Sequence, residues 1–597
     1  MPGPKPSGLV NVKVLAGGSE LPGTFQVNRI QITKTLNKVS SATIHFLDGN
    51  PSIQKFEISD KADLEPGAEI EIKAGYDSDS ESLFKGIIIK HGIKVQSGST
   101  FTIIECKDKA VLMTIENRSD IFEKKKDSEI MQTLISRHSG VSAKVDATDY
   151  QHPQILQYNA TDWDFVMARA EANSKVVYTL DNKVGVVTPK VASPKMTLEF
   201  GTNIIDFEAN INADTQLSKV KAISWNIKSQ EVAQKEVSSA DFEETGSLKS
   251  AGLAGKVKTD GQLLSHPGAL DVGELGDWGK AVMLRSKMGK LTGTVKANGF
   301  AGINPNDTLE LKGFGKKFNG KVYVASVEHS IDAGKWFTSI KFGLNPELHV
   351  RKFDIGSQQA SGLLPAVHGL QIGIVKKIHE DPDNQHRVQV SLVSFGSSTN
   401  VWARRVFPDA GKERGVYWMP EIGDEVVIGF MNDDARYPII IGNLHSSKNK
   451  PPYVTDAKNK EKGIVTREKL KLTFNDEDKI TTWETPAKQS IEINDKEESI
   501  VIKDKQGNTI TLKKDLIELK GMGEIKITAM KDVTISGQNI KIDAKLNADI
   551  GATNIKNTAK AQFKAAGNAG AEISSGAQTV VKGGAMVQIQ GALVKIN

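Results

Sequence analysis

Cysteine, long apolar runs and blocks of charge are all scarce in this chain, and each shortage excludes a class of protein. Cys106 is the only cysteine among 597 residues, which excludes a disulfide framework and a cysteine-ligated metal site. No run approaches the roughly 18 apolar residues that predict a membrane span, so we expect no stable membrane insertion. The formal net charge is only +5 and no basic block stands out, so we expect no binding to nucleic acid.

What the chain does contain, from about residue 491 onward, is a series of short apolar pairs. The two members of a pair are two positions apart, which is the period of a strand with one buried face. Most pairs recur every seven or eight residues, and turn formers and charged residues fill the gaps. The pairs include Ile517 and Leu519, Ile525 and Ile527, Val533 and Ile535, Ile540 and Ile542, Val587 and Ile589, and Val594 and Ile596.

One such unit buries too little to be stable alone, because ordering the backbone costs about 1–2 kcal/mol per residue. The units must therefore stack, as in repeat proteins. A monomeric solenoid and a disordered tail are the alternatives, but the short repeat favours three chains wound together, each strand pairing with a strand of another chain. The predicted core of this trimeric needle consists of Ile525, Ile527, Val533, Ile535, Ile540 and Ile542.

The rest of the chain is typical of a mainly β protein with a few short helices. Alternation such as Ala68-Glu69-Ile70-Glu71-Ile72 predicts barrel strands. Thr161 is expected to cap a helix, and Asp181-Asn182-Lys183 to form a hairpin turn. The predicted domains are a β-barrel (1–118), an α+β connecting domain (119–200), a second β-barrel (201–350), a linker (351–365), an OB-fold (366–445), a second linker (446–462) and a triple-stranded intertwined β-helix, the needle (463–597).

Three stretches resemble one protein family. QYNATDWDFVMARAEANSKVVY (157–178) resembles the region of VgrG spike proteins that joins two hub barrels. WMPEIGDEVVIGFMNDDARYPIIIGNL (418–444) is similar to the VgrG OB domain, and GIVTREKLKLTFNDED resembles the start of the family's triple β-helix. The OB match is carried by Trp402, Pro420, Glu421, Gly423, Asp424, Glu425, Pro438 and Gly442.

The resemblance implies a homotrimeric hub and spike of a contractile injection system, as in type VI secretion, extracellular injection particles and phage tails. It implies contacts with the inner tube protein, baseplate components and effector cargo. It also implies a PAAR-type tip protein seated on Val594, Lys595, Ile596 and Asn597. The N-terminus MPGPKPSGLV shows no signal peptide, so we expect assembly in the cytoplasm and export on contraction.

No catalytic, cofactor or metal site is predicted. His379-Glu380-Asp381-Pro382-Asp383 is interpreted as a hairpin loop. His138, His152, His329 and His445 are spread over three predicted domains and show no metal-ligand spacing.

Two other functions compete with the spike. A spike with cell-wall hydrolase activity would need a catalytic domain, and we expect none, because only a short linker joins Leu444 to Ile464 and the needle pattern continues to the last residues given. A phage tail adhesin would expose aromatic residues, but only Phe563 follows Trp483. The needle is also richer in lysine than the Val-Gly-Glu repeats of many relatives.

Overall fold

The structure, a computed structural model, describes residues 8–257, 261–396 and 400–596. It divides into two compact units, Met1–Leu444 and His445–Asn597. With 39% strand and 12% helix, the predicted mainly β class is confirmed. Across the described residues, we find no helix with the length and apolar character that a membrane span requires.

The first segment of the larger unit is an antiparallel sheet with alternating burial. On its fourth strand Ala42, Ile44 and Phe46 are buried, whereas the residues between them are partly exposed. Cys106 is buried as well, and burial raises the pKa of its thiol to about 12, as expected for an inert cysteine. The strands are β1 (Val10–Ala16), β2 (Ser19–Glu20), β3 (Val27–Thr35), β4 (Ser41–Leu47), β5 (Glu69–Tyr76), β6 (Glu81–Gln96) and β7 (Ser99–Lys107).

The connecting region confirms the predicted cap and hairpin. The Thr161 hydroxyl accepts a hydrogen bond from the Asp164 backbone N–H at 3.1 Å and so caps a helix. Asp181 and Asn182 both have positive φ, which short polar side chains tolerate in a two-residue hairpin turn. The elements are β8 (Asn117–Lys126), α1 (Asp127–Ser136), β9 (Ser142–Val145), β10 (Gln151–Thr161), α2 (Asp162–Ala172), β11 (Val176–Leu180) and β12 (Lys183–Val187).

The next segment contains an insertion that the sequence did not predict. Ile211 and Leu291 are paired on neighbouring strands, so the chain leaves the sheet after Ile211 and returns to it at the same place with Leu291. The insertion has its own three-stranded sheet, packed against a long helix. The elements are β13 (Met196–Glu199), β14 (Asp206–Ile211), β15 (Val220–Asn226), β16 (Glu231–Val237), α3 (Ser250–Val257), β17 (Gln262–His266), α4 (Val272–Met288), β18 (Leu291–Asn298), β19 (Thr308–Lys312), α5 (Gly315–Phe318), β20 (Gly320–Asp332), β21 (Lys335–Phe342) and α6 (His349–Lys352).

Strands from the two predicted barrels form one continuous sheet of thirteen strands. The joint is the antiparallel pairing of β3 with β20, which places Thr35 opposite Ser326. The hydroxyls of this pair are 2.7 Å apart, and the Ser326 hydroxyl also donates to the Lys34 carbonyl. Backbone hydrogen bonds therefore connect the two barrel segments, while the predicted boundaries at residues 118 and 201 remain predictions.

The OB-fold is confirmed as a closed five-stranded barrel in the order β22-β23-β24-β28-β27. Residues 379–383 lie in the loop between its first two strands, where Asp381 accepts hydrogen bonds from the Arg387 guanidinium, as the hairpin interpretation requires. The strands are β22 (Gln371–Lys377), β23 (Val388–Leu392), β24 (Asn400–Arg405), β25 (Ala410–Gly411), β26 (Arg414–Gly415), β27 (Glu425–Phe430) and β28 (Pro438–Asn443).

Lys34 is buried in the joint between the barrel segments. Its side chain is 4% exposed, and its Nζ donates a hydrogen bond to Asn304 Oδ1 at 2.8 Å. Burial lowers the pKa of Lys34 to about 8, and the carboxylates of Asp181, Asp108 and Asp307 only partly oppose this shift. At neutral pH the joint therefore contains a charged amine that is solvated less well than it would be in water, which costs folding stability.

The first prediction follows from this lowered pKa. Above about pH 8 the folded protein releases the Lys34 proton while the unfolded chain keeps it up to about pH 10.5, so folding stability gains as pH rises through this window. The variant Lys34→Met has no titratable amine at this position and so lacks this pH-dependent increase in the free energy of unfolding. Between pH 7 and 10 the free energy of unfolding of the wild type should rise by about 2–3 kcal/mol relative to the variant. Chemical unfolding at both pH values measures this; a difference that does not change with pH would contradict the assignment.

Candidate functional site: an apolar face in the C-terminal unit

The C-terminal unit begins with seven antiparallel strands of five residues each, every strand paired with its neighbours in the same chain. For residues 491–520 this corrects the expectation that the strands pair with other chains, because Ile517 and Leu519 pair with Leu512 and Ile510. Short turns close each hairpin at little entropic cost. The strands are β29 (Glu461–Val465), β30 (Lys471–Asn475), β31 (Ile480–Glu484), β32 (Ser490–Asn494), β33 (Ser499–Lys503), β34 (Thr509–Lys513) and β35 (Leu516–Lys520).

Apolar side chains form two columns across one face of these strands. In one column Ile502 pairs with Ile491 on one side and Ile510 on the other, and each pair brings its side chains to the same face. We call this set the apolar ladder. Its first column is Leu472, Trp483, Ile491, Ile502, Ile510 and Leu519, and its second is Phe474, Ile493, Ile500, Leu512 and Ile517.

The apolar ladder is open to solvent in the single chain. Apart from the half-buried Leu472, its members are exposed, from Leu512 at 37% to Ile517 at 75%. The residues between them on the same strands, such as Glu492 and Thr511, point to the opposite face and are only half-buried. Soluble monomers rarely expose a contiguous apolar surface of this length, so the ladder has the character of an interface.

Beyond the ladder, residues 521–596 form no paired strand within the chain, and none of them is buried. The predicted needle core is exposed: Ile525 55%, Ile527 69%, Val533 56%, Ile535 70%, Ile540 55% and Ile542 78%. In the predicted tip-binding set, Val594 is 46% and Ile596 86% exposed and Lys595 is also exposed, while Asn597 lies outside the described residues. Within the single chain these segments therefore have neither an apolar cover nor a partner strand.

The predicted core omitted the ladder of residues 472–519, although its signal was present. The I-x-I spacing occurs at Ile491, Ile500 and Ile510 as it does at Ile525, with Leu replacing the second Ile at Leu512. Sequence reasoning placed the core in the later pairs, from Ile525 to Ile542. The sequence does not give the strand pairing, and this pairing is what places the earlier pairs on one face.

A buried cluster of polar side chains in the larger unit has a composition that catalytic sites also use, and sequence reasoning missed it. Asp127 accepts hydrogen bonds from Arg169 at 2.6 and 2.8 Å and lies 2.9 Å from His152 Nε2. Burial alone would raise the pKa of Asp127, but Arg169 and His152 hold it below its usual value. Arg169 belongs to α2, so the cluster fixes that helix against α1 and β10.

Two more histidines fix the same helix. His138 Nε2 lies 2.8 Å from Asp162 Oδ2, and His349 Nε2 lies 2.7 Å from Asp164 Oδ1. His138 and His152 therefore lie in one region, within the predicted connecting domain (119–200). Among the described residues, no group of three or more His, Cys, Asp or Glu side chains could hold a metal ion.

Comparison with known proteins agrees with this architecture. The family model for the type VI secretion system/phage-baseplate injector OB domain matches residues 371–445. The type VI secretion system spike proteins VgrG5 and VgrG2a of Pseudomonas aeruginosa are 32% identical over 97 residues and 28% identical over 142 residues. These alignments cover 15% and 22% of this chain but only 12% and 16% of the relatives.

Solved structures of tail and secretion proteins are similar at a lower level. The 43 kDa tail protein of prophage MuSo2 from Shewanella oneidensis has a TM-score of 0.44 at 13% identity, over 56% of this chain and 98% of that one. The E. coli c3393 protein, a type VI secretion component, has a TM-score of 0.36 at 12% identity, over 72% and 100%.

The OB-domain match and the spike-protein matches make this chain similar to VgrG spike proteins, as the resemblance in the sequence predicted. The Alg8 N-terminal domain model matches residues 6–333, more than half of the chain. The chain therefore belongs to the Alg8 N-terminal domain family.

The second prediction asks whether the apolar ladder is covered. Ile502 and Val501 are neighbours on β33 that point to opposite faces. Because a carboxylate costs several kcal/mol where it is covered and little where it meets water, Ile502→Asp should lower the melting temperature and the assembled mass far more than Val501→Asp. Differential scanning calorimetry and light scattering measure both. Equal effects would mean that the ladder faces solvent.

Proposed function

We propose that this protein is the homotrimeric hub and spike of a contractile injection system, which caps the inner tube and is driven through a target envelope. The observation that carries the proposal is the apolar ladder, followed by 76 described residues, 521–596, in which no side chain is buried and no strand is paired. Both features need other chains. The similarity to VgrG spike proteins supports the proposal that those chains are further copies of the same protein.

Three copies cover the apolar ladder better than two. In the proposed trimer the three ladder sheets lie with their apolar columns toward a common axis, forming a three-sided core. Two copies would give a face-to-face sandwich, with sheets about 10 Å apart. The later strands each carry only two apolar side chains, such as Ile525 and Ile527, and these can fill only a narrow core that is closed on all sides. A two-sheet sandwich does not provide such a core.

Beyond Gly521 the proposed trimer changes its pairing. Here each strand takes its hydrogen-bond partners from the two other chains, which satisfies backbone groups that have no partner in the single chain. This gives the predicted triple-stranded intertwined β-helix, with Ile525, Ile535 and Ile542 among its core residues. Strands paired across chains carry an axial load without exposing an edge.

The proposed action is mechanical, and we propose that the protein is not itself an enzyme. The curated relatives are described as spike proteins, which supports this role. The proposed partners are the inner tube protein, the baseplate, effector cargo and a PAAR-type tip protein. The proposed place of assembly is the cytoplasm, followed by export or release with the injection particle.

The third prediction tests the trimer and the orientation of its needle strands. Sedimentation should give three times the chain mass of 64.8 kDa. Ile535→Asp should disrupt the trimer, because it places three carboxylates near one axis at a cost of several kcal/mol. The matched control Lys531→Asp alters a corner residue and should change stability by about ±0.5 kcal/mol or less. A stable monomer would refute the proposal. Equal disruption by both variants would show that the assignment of Ile535 to the core face and Lys531 to the solvent is wrong.

The fourth prediction concerns the tip protein. Val594 and Ile596 keep the spacing of the core pairs, so they would extend the three-sided core to a surface on which a tip protein can sit. Deleting Ala592 to Asn597 should leave the trimer mass unchanged and abolish co-purification of the co-expressed tip protein. Retention of the tip by the truncated trimer would show that these residues do not bind it.

A further inference from the structure

The net charge of the chain is concentrated in one short segment. Residues 551–596 contain five lysines and a single glutamate, a net charge of +4, against +5 for the whole chain. Residues 461–520 contain twelve basic and thirteen acidic side chains, and residues 521–550 contain four of each. The segment 551–596, which we call the basic segment, therefore differs in charge from the rest of the C-terminal unit.

Most of the lysines beyond Gly521 lie next to the apolar residues of the repeat. In the ladder, the residue between two apolar neighbours is Glu492, Val501, Thr511 or Glu518. Further along, lysine takes the position between the pair members or directly after an apolar residue, at Lys526, Lys541, Lys556, Lys564, Lys582 and Lys595. Successive side chains of a strand point to opposite faces, so these lysines lie opposite the apolar positions.

All five lysines of the basic segment are exposed in the structure. Their orientation away from a shared axis rests on the proposed trimer, in which the apolar residues turn inward. Three chains would then present three outward rows of ammonium groups, with Glu572 the single acidic residue per chain to offset them. Such rows produce a positive field at the end of the spike that approaches a target.

We propose that the basic segment binds the surface of an anionic phospholipid membrane. Clusters of lysine bind anionic headgroups with about 1 kcal/mol for each side chain near the surface, without a specific pocket. Lysine acts as a hydrated point charge, which suits a fluid array of phosphates. The sequence after Arg467 contains no arginine, and Phe563 is the only aromatic residue of the basic segment. The basic segment therefore lacks the series of aromatic side chains on which the bases of a nucleic acid stack.

The experiment uses the full-length protein and vesicles of phosphatidylcholine with or without phosphatidylglycerol. The test variant carries glutamine at Lys556, Lys560, Lys564 and Lys582. The matched control carries glutamine at four exposed lysines among acidic neighbours, Lys503, Lys505, Lys513 and Lys514, and so loses the same charge. Vesicle co-sedimentation at low and high salt measures binding, and duplex DNA serves as a competing polyanion.

The wild type and the control should bind phosphatidylglycerol vesicles and release them at high salt, and the test variant should bind at least about tenfold more weakly. Equal loss in both variants, equal binding to neutral vesicles, or tighter binding to DNA would overturn the inference. Light scattering on the wild type separates the two proposals. A protein that is not a trimer would refute the proposed spike and the outward lysine rows that depend on it. A trimer that does not bind anionic vesicles would refute only the proposed membrane binding.

Discussion

A strand of five residues with two apolar side chains is too small to be stable alone, and this constraint shapes the whole C-terminal unit. Ordering the strand costs more than two buried side chains return, so each strand needs neighbours for its backbone and a cover for its apolar face. Residues 461–520 obtain backbone neighbours from their own chain but no cover. Residues 521–596 obtain neither from the single chain, and further copies would supply both.

The larger unit meets the same requirement by pairing strands that are distant in sequence. The β3–β20 joint brings together residues about 290 positions apart, and Lys34 is buried beside it with a lowered pKa. Buried ion pairs around α2 hold the connecting region in place, at a desolvation cost that only good geometry offsets. The unit thus combines apolar cores with a few buried charges, each of which has a specific partner.

The sequence predicted those features that have a local signal. Alternation identified strands such as β5, Thr161 was a correct cap, and the residues around Gly423 to Gly442 marked the OB-fold. It did not predict the β3–β20 joint or the insertion at residues 212–290, because pairing between distant strands leaves no local pattern. It also missed α3, whose two glycines lower its helix propensity. The apolar ladder was only partly anticipated, since a two-residue period fixes a face but not the partner of that face.

Pairing within the chain between Glu461 and Lys520 has a consequence for how fast and in what order the molecule folds. Hairpins between adjacent strands form in microseconds, whereas pairing between chains depends on concentration. In the proposed trimer the ladder sheet would therefore form first and act as a template for the encounter of three chains. Once three templates meet, the later strands of all chains start in register, and the intertwined segment can close progressively from Gly521 outward.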